Sequence, residues 1–405
     1  MTQQQKTHLI LALCSGGFGE TVLGIRLVRE LVARGERVRF IAHESNRKLM
    51  FGLPNLLICS PAFFFLATYC EKMAHGQNLG SIILADYAIT ASCFEKLGLD
   101  PHFLERFGAP IYAIDTWHLA RTGAKIDLFG DQVKTLPLWP EVARYLSPVP
   151  FLSAETTPTA YRSLPQVTQI SRKARQHVRS NLGLKHGDKA ILFCSAIWQH
   201  HDYKNPAGER TATLIPKLLP VLLEELGQQV HIVHVGPEGY GLEETIPGRY
   251  HWLPALEATE FDTLLNSVDV MLSANFSAST IPKAILLRIP TVVLHNSHSI
   301  ESLEELHAVA TRMRSSVRAV FEAHLPLFPF LMWPLGYSKF LQPLVHDNPY
   351  LDTLTLVELL DMESVVEALR RYLFDGARRA ECATRQEAYI AGVKALPRAV
   401  DLMTS

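Results

Sequence analysis

The sequence predicts an α/β protein with two domains, each built around a parallel β-sheet. The chain has 405 residues, which is the length of two ordinary domains. Short apolar runs alternate with helix-like segments in both halves of the sequence, around residues 8–42 and again around residues 250–296. This alternation is typical of βαβ units, in which helices cover the faces of a parallel sheet.

The first βαβ unit begins at residues 8–14, whose sequence HLILALC is typical of a buried parallel strand. Residues 15–21 (SGGFGET) form the loop after this strand, and the apolar spacing of residues 22–33 predicts a helix packed on the sheet. Residues 38–42 are the next strand. The loop does not match the G-x-G-x-x-G fingerprint, so a nicotinamide cofactor is not indicated.

The second half contains the stretch on which the functional interpretation depends, residues 250–296. Three apolar runs and two helix-like segments predict a βαβαβ unit there. The second of these helices opens with four small residues, which are Ser277, Ala278, Ser279 and Thr280. Hydroxyls and free N–H groups at such a turn either cap the helix or bind a phosphate, and the residues alone leave both interpretations open.

This stretch resembles the nucleotide-sugar half of GT-B glycosyltransferases, especially the bacterial N-acetylglucosaminyltransferase that makes the lipid precursor of peptidoglycan. Leu253-Pro254-Ala255 stands where that family has its L-P-F loop, and Ala278-Ser279-Thr280-Ile281 matches the family's A-S-T-I turn. The resemblance implies that the Leu253 backbone holds the nucleobase and that the turn holds the donor diphosphate. The family's ribose-binding Glu falls on Lys283, so the ribose contact is expected to differ.

The resemblance extends to the N-terminal segment GGFGETVLGIRLVRELVARGERVRFIAHE. The family's His falls on Thr21, whereas Glu20 lies about where heptosyl-type members carry an acidic residue. A carboxylate there could accept the proton of an acceptor hydroxyl, or it could complement the helix N-terminus, and both remain open. Gly17 and Ser195 lie in the loops after the first strand of each domain, which makes them candidate donor-binding residues.

Further candidates follow other predicted strands. Asp86, Asp115 and His43 each stand at a strand end, and Trp117-His118 follow Asp115 closely. Ligands of open α/β sheets bind at the carboxyl ends of strands, although Asp is also an ordinary turn residue. The candidate catalytic residues are therefore Glu20, Asp115 and His43, with Glu20 as the expected general base.

The predicted domain boundary falls in the Pro-, Ser- and Thr-rich segment 136–170, which we interpret as a linker. The expected units are an N-terminal acceptor domain (1–165), a C-terminal nucleotide-sugar domain (166–375) and a C-terminal helix (376–405) that crosses back to the N-terminal domain. The family resemblance does not place residues 46–185 and 297–360. Two local predictions come from the residues alone: one long helix over 300–323, and a solvent loop at His200-His201-Asp202.

Composition excludes several classes of function. The net charge of −1 gives no general attraction to nucleic acid or to anionic membranes. The six Cys show no metal-binding spacing, and a reduced, cytoplasmic setting fits them. The most apolar stretch, residues 56–70, is too short and interrupted to span a membrane, which leaves buried core, an acceptor-binding wall or a membrane-surface patch.

Together these observations predict two Rossmann-like domains facing across a cleft, the GT-B type. The expected reaction is metal-independent transfer of a sugar from a nucleoside diphosphate sugar, a substrate rather than a cofactor, to the hydroxyl or amine of a small-molecule or lipid-like acceptor. Two alternatives remain. One is a nucleotide-sugar 2-epimerase, and the other is a catalytically degenerate GT-B subunit that assists another transferase.

Overall fold

The computed structural model describes residues 5–14, 19–50, 53, 56–59, 65–116, 125–127, 133–135, 137–149, 158–200, 206–311, 313–327 and 347–403. The chain divides into two compact units. The N-terminal unit comprises Met1–Ile126, Lys134–Pro165 and Gly392–Ser405, and the C-terminal unit comprises Asp127–Val133 and Gln166–Ala391. Each unit contains a parallel sheet with helices, so the predicted α/β class is confirmed.

The sheet of the N-terminal unit contains, among the described residues, seven strands. They are β1 (Thr7–Ala12), β2 (Arg37–His43), β3 (Leu56–Cys59), β4 (Leu79–Leu84), β5 (Ile111–Ile114), β8 (Val142–Val149) and β9 (Ala160–Arg162). Two further strands, β6 (Lys125–Asp127) and β7 (Val133–Thr135), form a separate pair. The sheet order is β3-β2-β1-β4-β5-β8-β9, and the neighbouring strands pair in parallel. Its helices are α1 (Gly19–Ala33), α2 (Leu66–Ala74) and α3 (Tyr87–Leu97).

Helix α1 lies closely against the sheet. A Cβ at Gly24 would approach the Phe40 ring to 2.7 Å, so a residue without a side chain is required at this contact. Leu27, Val28 and Leu31 of the same helix are buried, as the apolar spacing predicts. The helix begins at Gly19 rather than at residue 22, and Glu20 is therefore a first-turn helical residue instead of a loop residue.

The sheet of the C-terminal unit contains six described strands. They are β10 (Lys189–Cys194), β11 (Val230–Val235), β12 (Tyr250–Leu253), β13 (Val270–Ser273), β14 (Thr291–His295) and β15 (Thr355–Glu358), in the order β12-β11-β10-β13-β14-β15. The helices of this unit are α4 (Arg172–Asn181), α5 (Pro206–Leu226), α6 (Ala258–Leu265), α7 (Thr280–Leu286), α8 (Leu303–Val309), α9 (Ser315–Glu322), α10 (Met362–Phe374) and α11 (Gly376–Lys394). The predicted βαβαβ unit of residues 250–296 is present as β12-α6-β13-α7-β14.

The single long helix predicted over residues 300–323 is wrong, because the structure has two helices there, α8 and α9. Ser302 caps α8 by accepting the backbone N–H of Glu305 at 3.2 Å. The chain leaves the helical conformation after Val309 and starts again at Ser315. The intervening residues 310–314 (ATRMR) are followed by Ser315 and Ser316 at the start of α9, and Ser hydroxyls compete for backbone hydrogen bonds and favour helix starts over helix interiors.

The C-terminal residues belong to the N-terminal unit. Helix α12 (Ala399–Leu402) contacts α1, where the Arg34 guanidinium donates to the Val400 carbonyl at 3.1 Å and pairs with Asp401. Ala399 and Val400 are buried in the same core as Leu27 and Phe40. None of the helices in the described ranges combines the length and the apolar content that crossing a membrane requires.

Each sheet has one point at which the direction of winding reverses. In the N-terminal unit it lies between β1 and β4, and in the C-terminal unit it lies between β10 and β13. Loops leave such a point on opposite faces of the sheet and open a crevice at the carboxyl ends of the strands, where ligands bind. Glu20 and Asp86 follow the two strands at the first of these points, and Ser195 and Ser277–Thr280 follow the two strands at the second.

Candidate functional site

The turn between β13 and α7 lies at the switch point of the C-terminal unit. Its shape is held by Asn275, whose Oδ1 accepts the Ser277 backbone N–H at 3.1 Å and the Ser277 hydroxyl at 2.9 Å. Phe276 is fully buried and packs edge-on against Tyr350, with ring centroids 5.8 Å apart. The Ser277 hydroxyl is thus engaged in shaping the turn. We call residues 274–280 the phosphate turn.

Two backbone donors of the phosphate turn are available. The Ala278 N–H bonds the Asn275 carbonyl at 3.1 Å, and the Ile281 N–H bonds the Ala278 carbonyl at 3.0 Å. Within the described ranges, the N–H groups of Ser279 and Thr280 have no acceptor, and the Ser279 hydroxyl does not cap the helix. Unpaired N–H groups at the start of a helix are suited to binding an anion.

The Thr280 hydroxyl adds a third donor. Its Oγ1 is buried and lies beside the thiol of Cys194 at the end of β10, and no oxygen or nitrogen of the described residues bonds it. Burial raises the pKa of the Cys194 thiol to about 12, and the Thr280 contact opposes that rise. A buried hydroxyl without a full partner is destabilising, so a ligand atom at this position would offset a cost already present in the fold.

Lys283, which stands at the position of the family's ribose-binding Glu, is engaged in an ion pair. Its Nζ lies 2.5 Å from Oδ1 of Asp262 and 5.5 Å from the centre of the Phe261 ring. Asp262 is 4% exposed, and its Oδ2 accepts the Thr168 N–H at 3.0 Å. The ammonium group therefore serves a buried ion pair that ties α7 to α6. Sequence reasoning did not single out Asp262.

Ser195 follows β10, on the other side of the switch point, and it lies in a cluster that the sequence did not reveal. Ser195 Oγ is 2.6 Å from His200 Nε2 and 2.7 Å from His234 Nε2, while His234 Nδ1 is 2.6 Å from the Tyr250 hydroxyl. The Tyr240 ring stacks against both His200 and His234, at centroid distances of 5.0 and 4.3 Å. His200 lies in a turn and is half-buried, and the rest of the predicted solvent loop lies outside the described residues.

We call Ser195, His200, His234, Tyr240 and Tyr250 the Ser–His–Tyr cluster. Burial shifts the pKa values of two of its members. It lowers the pKa of His234 to about 3, with a smaller contribution from His200, and it raises the pKa of Tyr250 to about 12. A buried imidazole inside a parallel strand needs polar partners, so the sequence VHIVHV could have indicated that a polar cluster exists here. The sequence does not show which residues those partners are.

The candidate nucleobase loop lies at the end of β12. The Leu253 carbonyl accepts the Gly236 N–H at 3.2 Å, and the half-buried Leu253 is followed by Pro254. The neighbouring indole of Trp252 is 39% exposed and donates to the Gly236 carbonyl at 3.2 Å. The contact of the Leu253 backbone with a nucleobase stays a prediction.

Glu20 lies at the switch point of the N-terminal unit. It is 4% exposed, its Oε2 accepts the Cys14 N–H at 2.5 Å, and its Oε1 has no partner among the described residues. Burial raises the pKa of Glu20 well above its ordinary value, and the nearby Asp86 carboxylate adds to the rise. The side chain is thus a buried carboxyl group with raised proton affinity rather than an exposed cap.

Asp86 and Asp115 follow β4 and β5, the next two strands of the sheet. Asp86 is 3% exposed and caps α3 by accepting the Ile89 N–H at 3.1 Å. Burial raises its pKa to about 7, and Asp115, which is 1% exposed, contributes to the rise. Glu20, Asp86 and Asp115 therefore form a row of buried carboxyl groups, which we call the carboxyl row.

His43 ends a strand on the other side of β1 from the strands that Asp86 and Asp115 follow. It follows β2, two strands from β4, and its Nδ1 accepts the Ser45 N–H at 3.2 Å. Adjacent strands are roughly 4.8 Å apart, so His43 and Asp115 end strands about 14 Å apart. Gly17, Trp117, His118, His201 and Asp202 lie outside the described residues.

Comparison with solved structures identifies the class of fold. SnogD, a glycosyltransferase from Streptomyces nogalater, is similar over 99% of this chain and 98% of its own, with 14% identity and a TM-score of 0.54. A putative UDP-N-acetylglucosamine 2-epimerase from Listeria monocytogenes is similar over 97% and 96%, with 11% identity and a TM-score of 0.51. S. aureus MnaA, solved with UDP, is similar over 97% and 99%, with 11% identity and a TM-score of 0.52. The chain has the two-domain α/β fold of GT-B glycosyltransferases.

Residues 27–405 match a family of unknown function (DUF6365), and the chain belongs to this family. No curated protein matches the sequence. The resemblance to GT-B enzymes is confirmed at the level of the fold, whereas the specific likeness to the peptidoglycan-precursor enzyme is not.

Proposed function

We propose that this protein is a glycosyltransferase that uses a nucleoside diphosphate sugar as donor. The main support for this proposal is the phosphate turn at the switch point of the C-terminal sheet. There the N–H groups of Ser279 and Thr280 have no acceptor among the described residues, and the buried Thr280 hydroxyl lies beside them. The fold supports it, because structures of the same fold include a glycosyltransferase and a complex with UDP.

The chemistry of such a transfer requires stabilisation of the leaving diphosphate. As the bond from the sugar to the phosphate oxygen breaks, negative charge grows on that oxygen, and fixed N–H and O–H donors offset it. Ser279 and Thr280 supply such donors without rearrangement, because the Asn275 bonds already fix the turn. Independence of a metal ion stays a prediction.

The acceptor must lose a proton as the new bond forms, and we assign this proton to Glu20. A carboxylate is an effective general base when its pKa lies near the working pH. Burial moves the pKa of Glu20 in that direction, and Oε1, which has no partner among the described residues, is the atom able to take the proton. The nearby Asp86 carboxyl adds to the rise in the pKa of Glu20, which favours the protonated product form of Glu20.

Replacing Ser279 and Thr280 by Ala keeps their N–H groups but removes both hydroxyls, and it should weaken nucleotide binding by about 1–3 kcal/mol, the loss of hydroxyl hydrogen bonds to a charged ligand. Titration calorimetry with UDP, thymidine diphosphate and GDP measures this loss. Thr263→Ala is the matched control, because the Thr263 hydroxyl bonds the Thr259 carbonyl on α6 and should not affect binding. Equal affinities for all the variants, with the fold intact, would refute the phosphate turn as the diphosphate site.

The nature of the reaction is tested with a panel of nucleotide sugars, each incubated with and without candidate acceptors. A transferase releases nucleoside diphosphate faster when an acceptor is present. A 2-epimerase instead converts the donor without an acceptor, and an assisting subunit does neither. The epimerase alternative is kept because structures of this fold include a putative UDP-N-acetylglucosamine 2-epimerase and because the carboxyl row offers several acid–base groups.

A further inference from the structure

Buried polar side chains follow three neighbouring strands of the N-terminal sheet at their carboxyl ends. Strands β2, β1 and β4 lie side by side, and they are followed by Asn46, Glu20 and Asp86 respectively. Asn46 is 1% exposed and Glu20 is 4% exposed, and Asn46 Oδ1 and Glu20 Oε1 have no hydrogen-bond partner among the described residues. Buried oxygens without partners are costly, so a ligand that donates to them would stabilise this site.

Both of these side chains are fixed by the backbone of Cys14, just after β1. Glu20 Oε2 accepts the Cys14 N–H at 2.5 Å. Asn46 Nδ2 donates to the Cys14 carbonyl at 3.0 Å and to the Thr21 hydroxyl at 2.7 Å. Because a carbonyl can only accept, the amide nitrogen of Asn46 must face it, and the amide oxygen is the atom left over. The site therefore presents hydrogen-bond acceptors, and its ligand must supply the donors.

Two of the three side chains are carboxyl groups, and the described part of the chain supplies no cation to them. Asp86 lies close enough to Glu20 to raise the pKa of Glu20, and Asp115 in turn raises the pKa of Asp86. Within the ranges that the structure describes, neither Glu20 nor Asp86 forms an ion pair with a Lys, Arg or His. Like charges buried together favour a ligand of the opposite sign.

The ionisable neighbours of this pair do not change that balance. Cys93 and Tyr161 lie near the two carboxyl groups, and each is negative when it is charged. Arg26, on the same helix as Glu20, donates instead to the carbonyl and the hydroxyl of Ser163. A neutral polyol could donate to the free oxygens but would leave the negative charge in place. An ammonium group has three N–H donors and a positive charge, so it meets both requirements.

We propose that the acceptor of this transferase carries a protonated amine beside the hydroxyl that receives the sugar, and that Glu20, Asn46 and Asp86 bind this ammonium group. The inference rests on the proposed function. The hydroxyl can also reach Glu20 Oε1, because a carboxylate oxygen has two lone pairs. In the transfer, the acceptor oxygen bonds the anomeric carbon and its proton goes to Glu20. The bond from that carbon to the diphosphate oxygen breaks, and the diphosphate leaves with the electron pair.

The bound ammonium group would also explain how Glu20 can act as a base. Burial and Asp86 favour the protonated form of Glu20 in the free protein. A positive charge beside the carboxyl group favours the ionised form instead, which is the form that accepts a proton. The acceptor would thereby activate its own general base.

The test compares compounds that differ only in an amine and a hydroxyl. Tyramine is matched with tyrosol, and trans-2-aminocyclohexanol is matched with trans-1,2-cyclohexanediol. Each compound is titrated calorimetrically into the full chain near pH 7, where an alkyl amine is protonated. Each amine should bind about 10- to 100-fold more tightly than its matched hydroxyl compound, the usual effect of hydrogen bonds to a charged group.

Proton release gives a second readout. In the free protein the pKa of Asp86 is raised to about 7, so this carboxyl group is partly protonated at neutral pH. A bound ammonium group lowers that pKa, so each amine should release a fraction of a proton, and its affinity should rise between about pH 6 and pH 8. The hydroxyl compounds should release none. Titrations in buffers of different ionisation enthalpy measure the released protons.

Asp86→Asn removes one negative charge and keeps the helix cap, since Asn can also accept the Ile89 N–H that Asp86 accepts at 3.1 Å. It should abolish both the preference for the amines and the proton release. Asp100→Asn is the matched control. Asp100 is exposed and caps the helical turn at 101–107 by accepting the His102 N–H at 3.0 Å, so its replacement should behave as wild type.

The outcomes distinguish this inference from the proposed function. A preference for the amines that Asp86→Asn loses supports the inference. Equal binding of amines and hydroxyl compounds, binding of neither amine, or an unchanged preference in Asp86→Asn overturns it. Diphosphate release that is as fast with the hydroxyl compounds as with the amines also overturns it and keeps the proposed function. Amine binding without diphosphate release from any donor overturns the proposed function and leaves the amine site standing.

Discussion

Replacing Glu20 by Gln should reduce turnover by about 10²–10⁴-fold, the usual effect of removing a general base, while nucleotide binding is retained. Gln is nearly the same shape, and its amide oxygen can still accept the Cys14 N–H that Glu20 Oε2 accepts now. The fold should therefore survive. At neutral pH the substitution even removes the cost of ionising a carboxyl group whose pKa is raised by burial.

The pH profile of the reaction follows from the same raised pKa. A base accepts a proton only when it is ionised, so turnover should rise with pH through a pKa above the ordinary range of glutamate. Glu20→Gln should remove this rising limb. Steady-state rates from pH 5 to 9, measured with the donor and acceptor found in the panel, check both statements.

Glu30→Gln is the matched control for Glu20. Glu30 lies on the same helix, ten residues further along, and burial also raises its pKa. At 1.5 Å per residue this places it about 15 Å from Glu20, away from the switch point. It should turn over like wild type. If Glu20→Gln is fully active and Asp115→Asn or His43→Ala is not, the base is one of the other strand-end residues.

The second large effect is expected on stability, at the buried pair of Lys283 and Asp262. Lys283→Met should lower the free energy of unfolding by about 3 kcal/mol, the lower end of the cost of removing one partner from a buried ion pair. The side chain of Asp262 is 5% exposed and would be left without its cation. Urea denaturation followed by circular dichroism measures the change.

Lys173→Met is the control for this substitution. Lys173 lies on α4 and is exposed, so its removal should change stability by less than about 0.5 kcal/mol. Nucleotide affinity separates the two roles of Lys283. If Lys283→Met is destabilised but binds nucleotide normally, the ion pair with Asp262 is supported. If it has normal stability but binds nucleotide more weakly, Lys283 contributes to donor binding instead.

The fold could be predicted from the sequence because its signals are local. The apolar runs of β1, β10 and β13 and the glycine-containing loop before α1 follow from strand and turn chemistry that the chain displays directly. The phosphate turn was found in the same way, since Ser277–Thr280 are contiguous. Boundaries were less certain, and the break between α8 and α9 was missed because the apolar spacing continues across it.

The parts that sequence could not supply depend on contacts between distant residues. Lys283 and Asp262 are 21 residues apart, and Ser195 and His234 are 39 apart. The sequence around each of these residues does not show that the side chains are in contact, because their proximity depends on the order of the strands in the sheet. The burial of Glu20 is of the same kind, since it depends on packing against β4 and its following residue Asp86.

The most direct measurement is a crystal structure of this protein with a nucleoside diphosphate bound. The prediction is that the phosphate oxygens lie within about 3 Å of the N–H groups of Ser279 and Thr280 and of the Thr280 hydroxyl, the ordinary range of such bonds. Phosphates bound at any other place in the chain, with these three donors left unpaired, would contradict the assignment of the donor site.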